Sequence, residues 1–176
     1  MHRNRWKTAV FSVLLGAAAP LAFAPETTND QEVATSDHHD LVKKRPVKVV
    51  QLFPGATRTD PGLSPSGGMS KDLAQMHVLV DAKNSDEAIT LGEKVIADGK
   101  ANHFDRAVAY QAIGYSYILK GDNVKAAASL QKSLAENALS NNDHYQIMLQ
   151  LMQTQINAGQ ADAGLATLDR MISETK

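Results

Sequence analysis

The chain has 176 residues, which is enough for one compact domain with short accessory segments. Hydrophobic residues make up 43% of the chain but aromatic residues only 5%, so small and aliphatic side chains must fill the core. This composition favours closely packed helices over a β-sandwich. The absence of cysteine excludes disulfides and thiol chemistry. The net charge of −1 becomes −4 once the predicted signal in residues 1–24 is removed, and this argues against a nucleic-acid surface.

Residues 1–24 have the pattern of an export signal. Basic residues at Arg3, Arg5 and Lys7 precede an apolar, alanine-rich run, which ends in the small-x-small pattern Ala22-Phe23-Ala24. The run is too short for a comfortable membrane span. We expect cleavage after Ala24 and a periplasmic or secreted protein of net charge −4, since three basic and no acidic residues are removed. Pro25 is unfavourable after a cleavage site, which leaves an uncleaved N-terminal anchor as the alternative.

Residues 25–69 are predicted to form a flexible leader. Their apolar density is low, and they contain the turn signals Pro54-Gly55, Pro61-Gly62 and Ser66-Gly67-Gly68. The exception is the β-prone segment 47–53, Val-Lys-Val-Val-Gln-Leu-Phe. This segment is predicted either as a short strand or extended arm lying on the helices, or as an isolated apolar patch in a linker.

Residues 70–176 have helical periodicity throughout and are predicted to fold as one helical repeat domain. We expect about six antiparallel helices in three hairpins, over about 70–100, 102–140 and 142–176. The predicted N-terminal caps are Ser70, Ser85, Asn102, Asp122 or Asn123, and the run Asn141-Asn142-Asp143. The predicted helix stops are Gly99, Gly121 and Gly159, where glycine supplies a left-handed conformation.

An internal repeat of 38 residues runs through this domain. It aligns residues at the turns, small residues within the hairpins and larger residues beside them. The aligned sets are Lys83, Gly121 and Gly159; Ala88, Ala126 and Gly164; Gly92, Leu130 and Leu168; Met76, Gly114 and Met152. Small residues such as Gly114 would let the two helices of a hairpin approach closely.

The pattern Tyr110-x-x-Ile113-Gly114-x-x-Tyr117-x-x-x-Gly121, followed by Ala126 and Leu130, resembles the tetratricopeptide repeat. The third unit keeps Leu151, Gly159, Gly164 and Leu168, and the first keeps Leu79 and Ala88. The sequence departs from the family at Asn123, Ser133 and Ala138, and its period is 38 instead of 34. With the export signal, it is similar to a class of proteobacterial envelope proteins.

The resemblance implies an all-α, right-handed solenoid of stacked hairpins, in which the first helix of each pair lines a concave groove. It implies a non-enzymatic scaffold or adaptor that binds a partner peptide or helix of unknown identity there. The implied groove positions are Leu73, His77, Asp81, Gln111, Tyr115, Ile118, Gln146, Gln153 and Asn157. These positions are amide-rich and lack the basic residues with which family members clamp a C-terminal carboxylate. The alternatives are the end segment of a longer solenoid without its own ligand, or the accessory domain of an envelope enzyme.

Residue patterns for catalysis and cofactor binding are not found, so we expect neither an enzyme nor a cofactor or metal site. His38 and His39 are adjacent on the predicted leader and are interpreted as solvated. His77, His103 and His144 have no paired spacing and are expected on helix surfaces or at caps. The basic patch Lys43-Lys44-Arg45 would give only weak attachment to anionic lipid, and we expect neither nucleic-acid binding nor stable membrane insertion.

The last predicted helix carries the apolar stripe Leu165, Leu168, Met171 and Ile172, with no following helix to cover it. Repeat arrays need a polar terminal cap for solubility. We therefore expect either a truncated chain, or self-association or partner binding through this C-terminal edge. The alternative is that the stripe is wholly used against the fifth helix.

Overall fold

The computed structural model describes residues 50–176, and this part of the chain is all-α, with six helices and no strand. The predicted signal peptide, the histidine pair at 38–39 and the basic patch at 43–45 lie outside the described residues. The helices are α1 (Ser70–Asp81), α2 (Ser85–Ala97), α3 (His103–Leu119), α4 (Asn123–Ala135), α5 (Asn141–Asn157) and α6 (Ala161–Glu174).

Helix starts are fixed by local hydrogen bonds at three of the predicted positions or next to them. Asn102 begins α3 with a full capping box, in which its side chain accepts from the Asp105 amide and the Asp105 carboxylate accepts from the Asn102 amide. Asp122 caps α4 by accepting from the Lys125 amide. At α5 the cap is Ser140 instead of the following Asn-Asn-Asp run, because the Ser140 hydroxyl is the group that reaches the Asp143 amide.

Two predicted caps and one predicted stop are wrong. Ser70 and Ser85 are the first residues of their helices, after Met69 and Asn84, and neither α1 nor α2 has a side-chain cap among the described contacts. At the end of α2, Asp98 turns to an extended backbone with ψ 119°, so Gly99 does not need a positive φ and does not adopt one. The chain leaves this helix by extension instead of a left-handed turn.

The same turn occurs three times at intervals of 38 residues. Lys83, Gly121 and Gly159 have φ values of 60°, 77° and 77°. In each turn the amide of this residue donates to the carbonyl three residues back, and the next amide donates to the carbonyl five residues back. This is the Schellman arrangement, which satisfies carbonyls at the helix end. The aligned register of residues 83, 121 and 159 is therefore a real repeat of backbone geometry.

The core consists of the inward faces of all six helices. Each helix packs against its neighbours in the sequence, and α1 also packs against α3. Close approach depends on glycine at Gly114, where an added Cβ would lie 2.7 Å from Cδ2 of Leu130 on α4. Gly164 on α6 approaches α5 in the same way, since its Cβ would lie 3.1 Å from the Met152 carbonyl oxygen. None of the helices within residues 50–176 is long and apolar enough to cross a membrane.

Residues 50–68, which we call the arm, form neither helix nor strand but lie against the helix ends. Phe53 and Ala56 pack on the core, and the Thr57 amide donates to the Glu174 carbonyl oxygen at 2.8 Å. The Asn142 side chain donates to the Val50 carbonyl and accepts from the Leu52 amide. For the described part of segment 47–53, the extended arm on the helices is thus the alternative that the structure adopts, without a strand.

Candidate binding surface

Gln111 and Tyr115 lie one turn apart on α3 and form the centre of the surface predicted to bind a partner. Gln111 Nε2 donates to the Tyr115 hydroxyl oxygen at 3.4 Å. The pKa of Tyr115 is raised, mainly because the phenol is buried. The Asp143 carboxylate on α5 raises this pKa further. The phenol is therefore neutral at physiological pH and serves as a hydrogen-bonding group with an apolar ring.

The neighbouring predicted positions differ in accessibility. Ile118 on α3 is half-buried and packs against the core, and Gln146 on α5 is half-buried as well. Leu73, one of the positions implied on α1, is only 4% exposed and belongs to the core. Leu73 is therefore a packing residue and not part of an accessible surface.

The remaining predicted positions are exposed and polar. Gln153 and Asn157 lie one turn apart at the end of α5, and Gln153 Nε2 donates to Asn157 Oδ1 at 3.1 Å. His77 and Asp81 are exposed on α1. The structure thus pairs Gln111 with Tyr115 and Gln153 with Asn157, while no hydrogen bond among the described residues joins His77 or Asp81 to either pair. Side-chain amides both donate and accept, so the surface suits a ligand that offers backbone groups.

Sequence reasoning missed the arm's anchors. Arg58 donates from Nη1 to Asn141 Oδ1 at 2.7 Å and from Nε to Asn137 Oδ1 at 2.8 Å. Asp60 accepts from the Asn141 amide at 3.0 Å, and this bond is the main cause that lowers the pKa of Asp60. At the other end of the arm, the Ser66 hydroxyl donates to the buried Asp105 carboxylate.

The signal that could have revealed the arm is the asparagine content of the loops between helices. Asn102, Asn137, Asn141 and Asn142 all use their side chains on the arm, as donors to its carbonyls or acceptors from its donors. The sequence suggested helix capping for several of them, and only Asn102 has that role as well.

A cluster of buried polar groups lies where the arm meets α5 and α6. His144 is 1% exposed, so the expectation that it lies on a helix surface or at a cap is wrong. Both ring nitrogens of His144, Tyr145 Oη and Glu174 Oε2 have no hydrogen-bond partner among the described residues. Burial, and then the charges of Arg58 and Arg170, lower the pKa of His144 from 6.5 to about 4. Burial raises the pKa of Tyr145, and the nearby Glu174 carboxylate adds to this effect. His144 is therefore held as the neutral imidazole at physiological pH.

The other two histidines of the helices lie at the surface, as predicted. His77 is exposed on α1, and His103 Nδ1 lies 2.7 Å from Glu136 Oε2, which also accepts from Arg106 Nη2 at 2.9 Å. The hydrogen bond from Arg106 is the main cause that lowers the pKa of Glu136. Within residues 50–176 no group of three or more histidine and acidic side chains has an arrangement that could hold a metal ion.

No protein-family model matches the chain, and neither a curated protein nor a solved structure matches it.

Proposed function

We propose that residues 70–176 form a tetratricopeptide-like stack of three helical hairpins that acts as a non-enzymatic protein-interaction scaffold. The partner, a peptide or a helix, would bind along the first helices of the three pairs, α1, α3 and α5. The residues proposed to contact it are His77, Asp81, Gln111, Tyr115, Ile118, Gln146, Gln153 and Asn157.

The observation that carries the proposal is the turn repeated at residues 83, 121 and 159. A repeated chain reversal between two helices is what a helical-hairpin repeat requires, and three units suffice for a stable stack. The turn follows α1, α3 and α5 in each case, so these three helices are equivalent members of the repeat. Equivalent helices can form one continuous surface, which is the usual binding face of such arrays.

The chemistry of the surface favours an uncharged ligand. Of the eight proposed contact positions, only Asp81 is charged when the histidine is neutral. Tyr115 combines an apolar ring with a hydroxyl, and Gln111, Gln146, Gln153 and Asn157 provide paired donors and acceptors. Such groups can hydrogen-bond to an extended backbone or pack against a polar helix face. We therefore place uncharged segments, not C-terminal carboxylates, among the expected ligands.

The proposed location is the bacterial envelope, because of the export pattern in residues 1–24. A scaffold in this compartment would bind another exported or membrane-attached protein.

The test is affinity capture from periplasmic extract with the wild-type chain, Tyr115→Ala and Tyr117→Ala. Tyr117 is the matched control because it is also a half-buried tyrosine of α3. Its ring is directed to α4 instead, where Lys125 Nζ lies 5.3 Å from the ring centre. We expect Tyr115→Ala to lose a partner that Tyr117→Ala retains. If every recovered partner binds Tyr115→Ala normally, the proposed groove is wrong.

A further inference from the structure

The arm packs directly on the buried polar cluster formed by His144, Tyr145 and Glu174. The ring of Phe53 lies 5.2 Å from the ring of Tyr145, which in turn lies 5.3 Å from the ring of His144. The Thr57 amide and hydroxyl both donate to the Glu174 carbonyl oxygen, at 2.8 and 3.2 Å. The arm therefore contacts the residues that surround His144 on both α5 and α6.

Two cations act on the His144 ring. Arg58 of the arm and Arg170 of α6 disfavour the imidazolium, and Glu174 of α6 favours it. Glu174 is already engaged, because its Oε1 accepts from Arg170 Nε at 2.7 Å. Burial disfavours the imidazolium more than any of these charges. A proton on His144 would thus place a third positive charge in a site that is closed to water while the arm is docked.

The other carboxylates of the arm and of α5 do not compensate for this charge. Asp60 is the acidic residue of the arm, and it accepts from the Asn141 amide at 3.0 Å. Asp143 is the acidic residue of α5, and it accepts from the Ser140 hydroxyl at 2.6 Å. Neither is among the groups that act on the His144 ring.

Arg58 is both a cation that acts on His144 and the anchor of the arm. Its guanidinium donates to Asn141 Oδ1 at 2.7 Å and to Asn137 Oδ1 at 2.8 Å. Undocking of the arm moves this charge away from His144 and gives the ring access to water, so the undocked state binds the proton more tightly. A ligand that binds one of two states more tightly shifts the equilibrium toward that state, and here the ligand is a proton.

We propose that the arm is an acid-operated latch, which leaves the helices when His144 takes up a proton while α1 to α6 stay folded. Release uncovers Tyr145, which is 0% exposed with the arm docked. The pKa of His144 is about 4 with the arm docked and approaches 6.5 when the ring is solvated. Protonation therefore shifts the docking equilibrium by up to about 300-fold, and by about 20-fold between pH 7 and pH 5.

The first experiment is an NMR titration of the His144 ring in the full chain, with Gly55→Val and Gly67→Val as variants. A Cβ at Gly55 would lie 2.7 Å from the Lys176 carbonyl oxygen, so Gly55→Val displaces the arm without removing the charge of Arg58. Gly67→Val is the matched control in the same arm, since its Cβ would meet no described atom within 4 Å. We expect the pKa of His144 to rise toward 6.5 in Gly55→Val only. The same pKa in all three chains would overturn the proposal.

A second experiment measures the opening of the arm in the wild type, so it does not depend on the folding of a variant. Amide exchange, corrected for the intrinsic rate at each pH, is followed at Thr57 in the arm and at Leu130 in α4, with and without low urea. We expect the protection of Thr57 to fall about 20-fold from pH 7 to pH 5. Its exchange should be insensitive to urea, because local opening exposes little surface. Leu130 should stay better protected at both pH values and respond to urea.

Two outcomes of this exchange experiment would contradict the latch. If Thr57 and Leu130 have the same protection and the same urea dependence at both pH values, the arm opens only when the whole domain unfolds. If His144→Gln, whose side chain cannot take up a proton, loses protection at Thr57 as the wild type does, another group drives the opening. Neither experiment involves Tyr115 or another residue of the proposed groove, so the result is independent of the proposed function.

Discussion

Arg58 and Asn141 bind each other in both directions. Arg58 Nη1 donates to Asn141 Oδ1 at 2.7 Å, and Asn141 Nδ2 donates back to the Arg58 carbonyl oxygen at 2.9 Å. The two residues are 83 positions apart, and Asn141 is the first residue of α5. This reciprocal pair holds the arm to the loop between α4 and α5 with both backbone and side-chain atoms.

Removing this guanidinium tests whether the arm stabilises the helices. We expect Arg58→Ala to lower the free energy of unfolding by about 1–2 kcal/mol, because a half-buried Asn141 loses a charged donor. Urea unfolding gives the free energy, and amide hydrogen exchange of residues 50–68 should quicken at the same time. Lys94→Ala is the control, since it removes an exposed ion pair to Asp72 and should change the free energy by less than about 0.5 kcal/mol. Equal effects of the two substitutions would contradict a structural role for the arm.

Gly55 tests how closely the arm approaches the end of α6. A Cβ at this position would lie 2.7 Å from the Lys176 carbonyl oxygen and 2.8 Å from that of Thr175. Since backbone oxygens cannot move like a side-chain end, Gly55→Ala should displace the arm and cost about 1–3 kcal/mol, measured by thermal unfolding. Gly67→Ala is the control in the same arm, because its Cβ would meet no described atom within 4 Å. An unchanged melting temperature for Gly55→Ala would show that the arm does not pack there in solution.

His144 makes stability depend on pH. The folded protein holds its pKa near 4, below the value of 6.5 expected in the unfolded chain, so the unfolded chain binds this proton more tightly. The contribution of His144 to the free energy of unfolding is complete above pH 6.5. It declines as the pH falls and is lost by about pH 4, and the total loss is roughly 3 kcal/mol. The measurement is the free energy of unfolding between pH 7 and pH 4 for wild type and His144→Leu.

We expect the variant to lose less stability than the wild type over this range, because the buried imidazole is gone while all carboxylates remain. Parallel profiles for wild type and His144→Leu would mean that His144 is solvated in the folded state.

Lys83 tests the repeated turn. It has φ 60°, where the equivalent residues of the other two turns are glycines, and a side chain in this region costs about 1 kcal/mol. We expect Lys83→Gly to raise the free energy of unfolding by up to that amount in urea titrations. Ala82→Gly is the neighbouring control: Ala82 has φ −74° and should lose about 0.5–1 kcal/mol on becoming glycine. A destabilised Lys83→Gly would mean that this turn does not share the geometry of the other two.

Features that depend on neighbouring residues were predictable from the sequence. The capping box joins Asn102 to Asp105, three residues away, and the turns at Gly121 and Gly159 close with partners five or fewer residues away. The capping residue and the glycine positions predicted these three elements, although the glycine signal failed at Gly99. Caps at Ser70 and Ser85 were predicted because serine is a common capping residue. In the structure each serine is already the first residue of its helix, so Met69 and Asn84 occupy the cap positions instead.

The sequence alone thus determined the helical class, the order of the helices and the 38-residue repeat, because these follow from hydrogen bonds and side-chain spacing within a few residues. Only the tertiary structure decided that residues 50–68 lie on the helices, that His144 is buried and that Leu73 belongs to the core. These outcomes depend on contacts such as Thr57 with Glu174, which are 117 residues apart. Low apolar density predicted a free leader, but a few asparagine hydrogen bonds and the side chain of Phe53 are enough to order it.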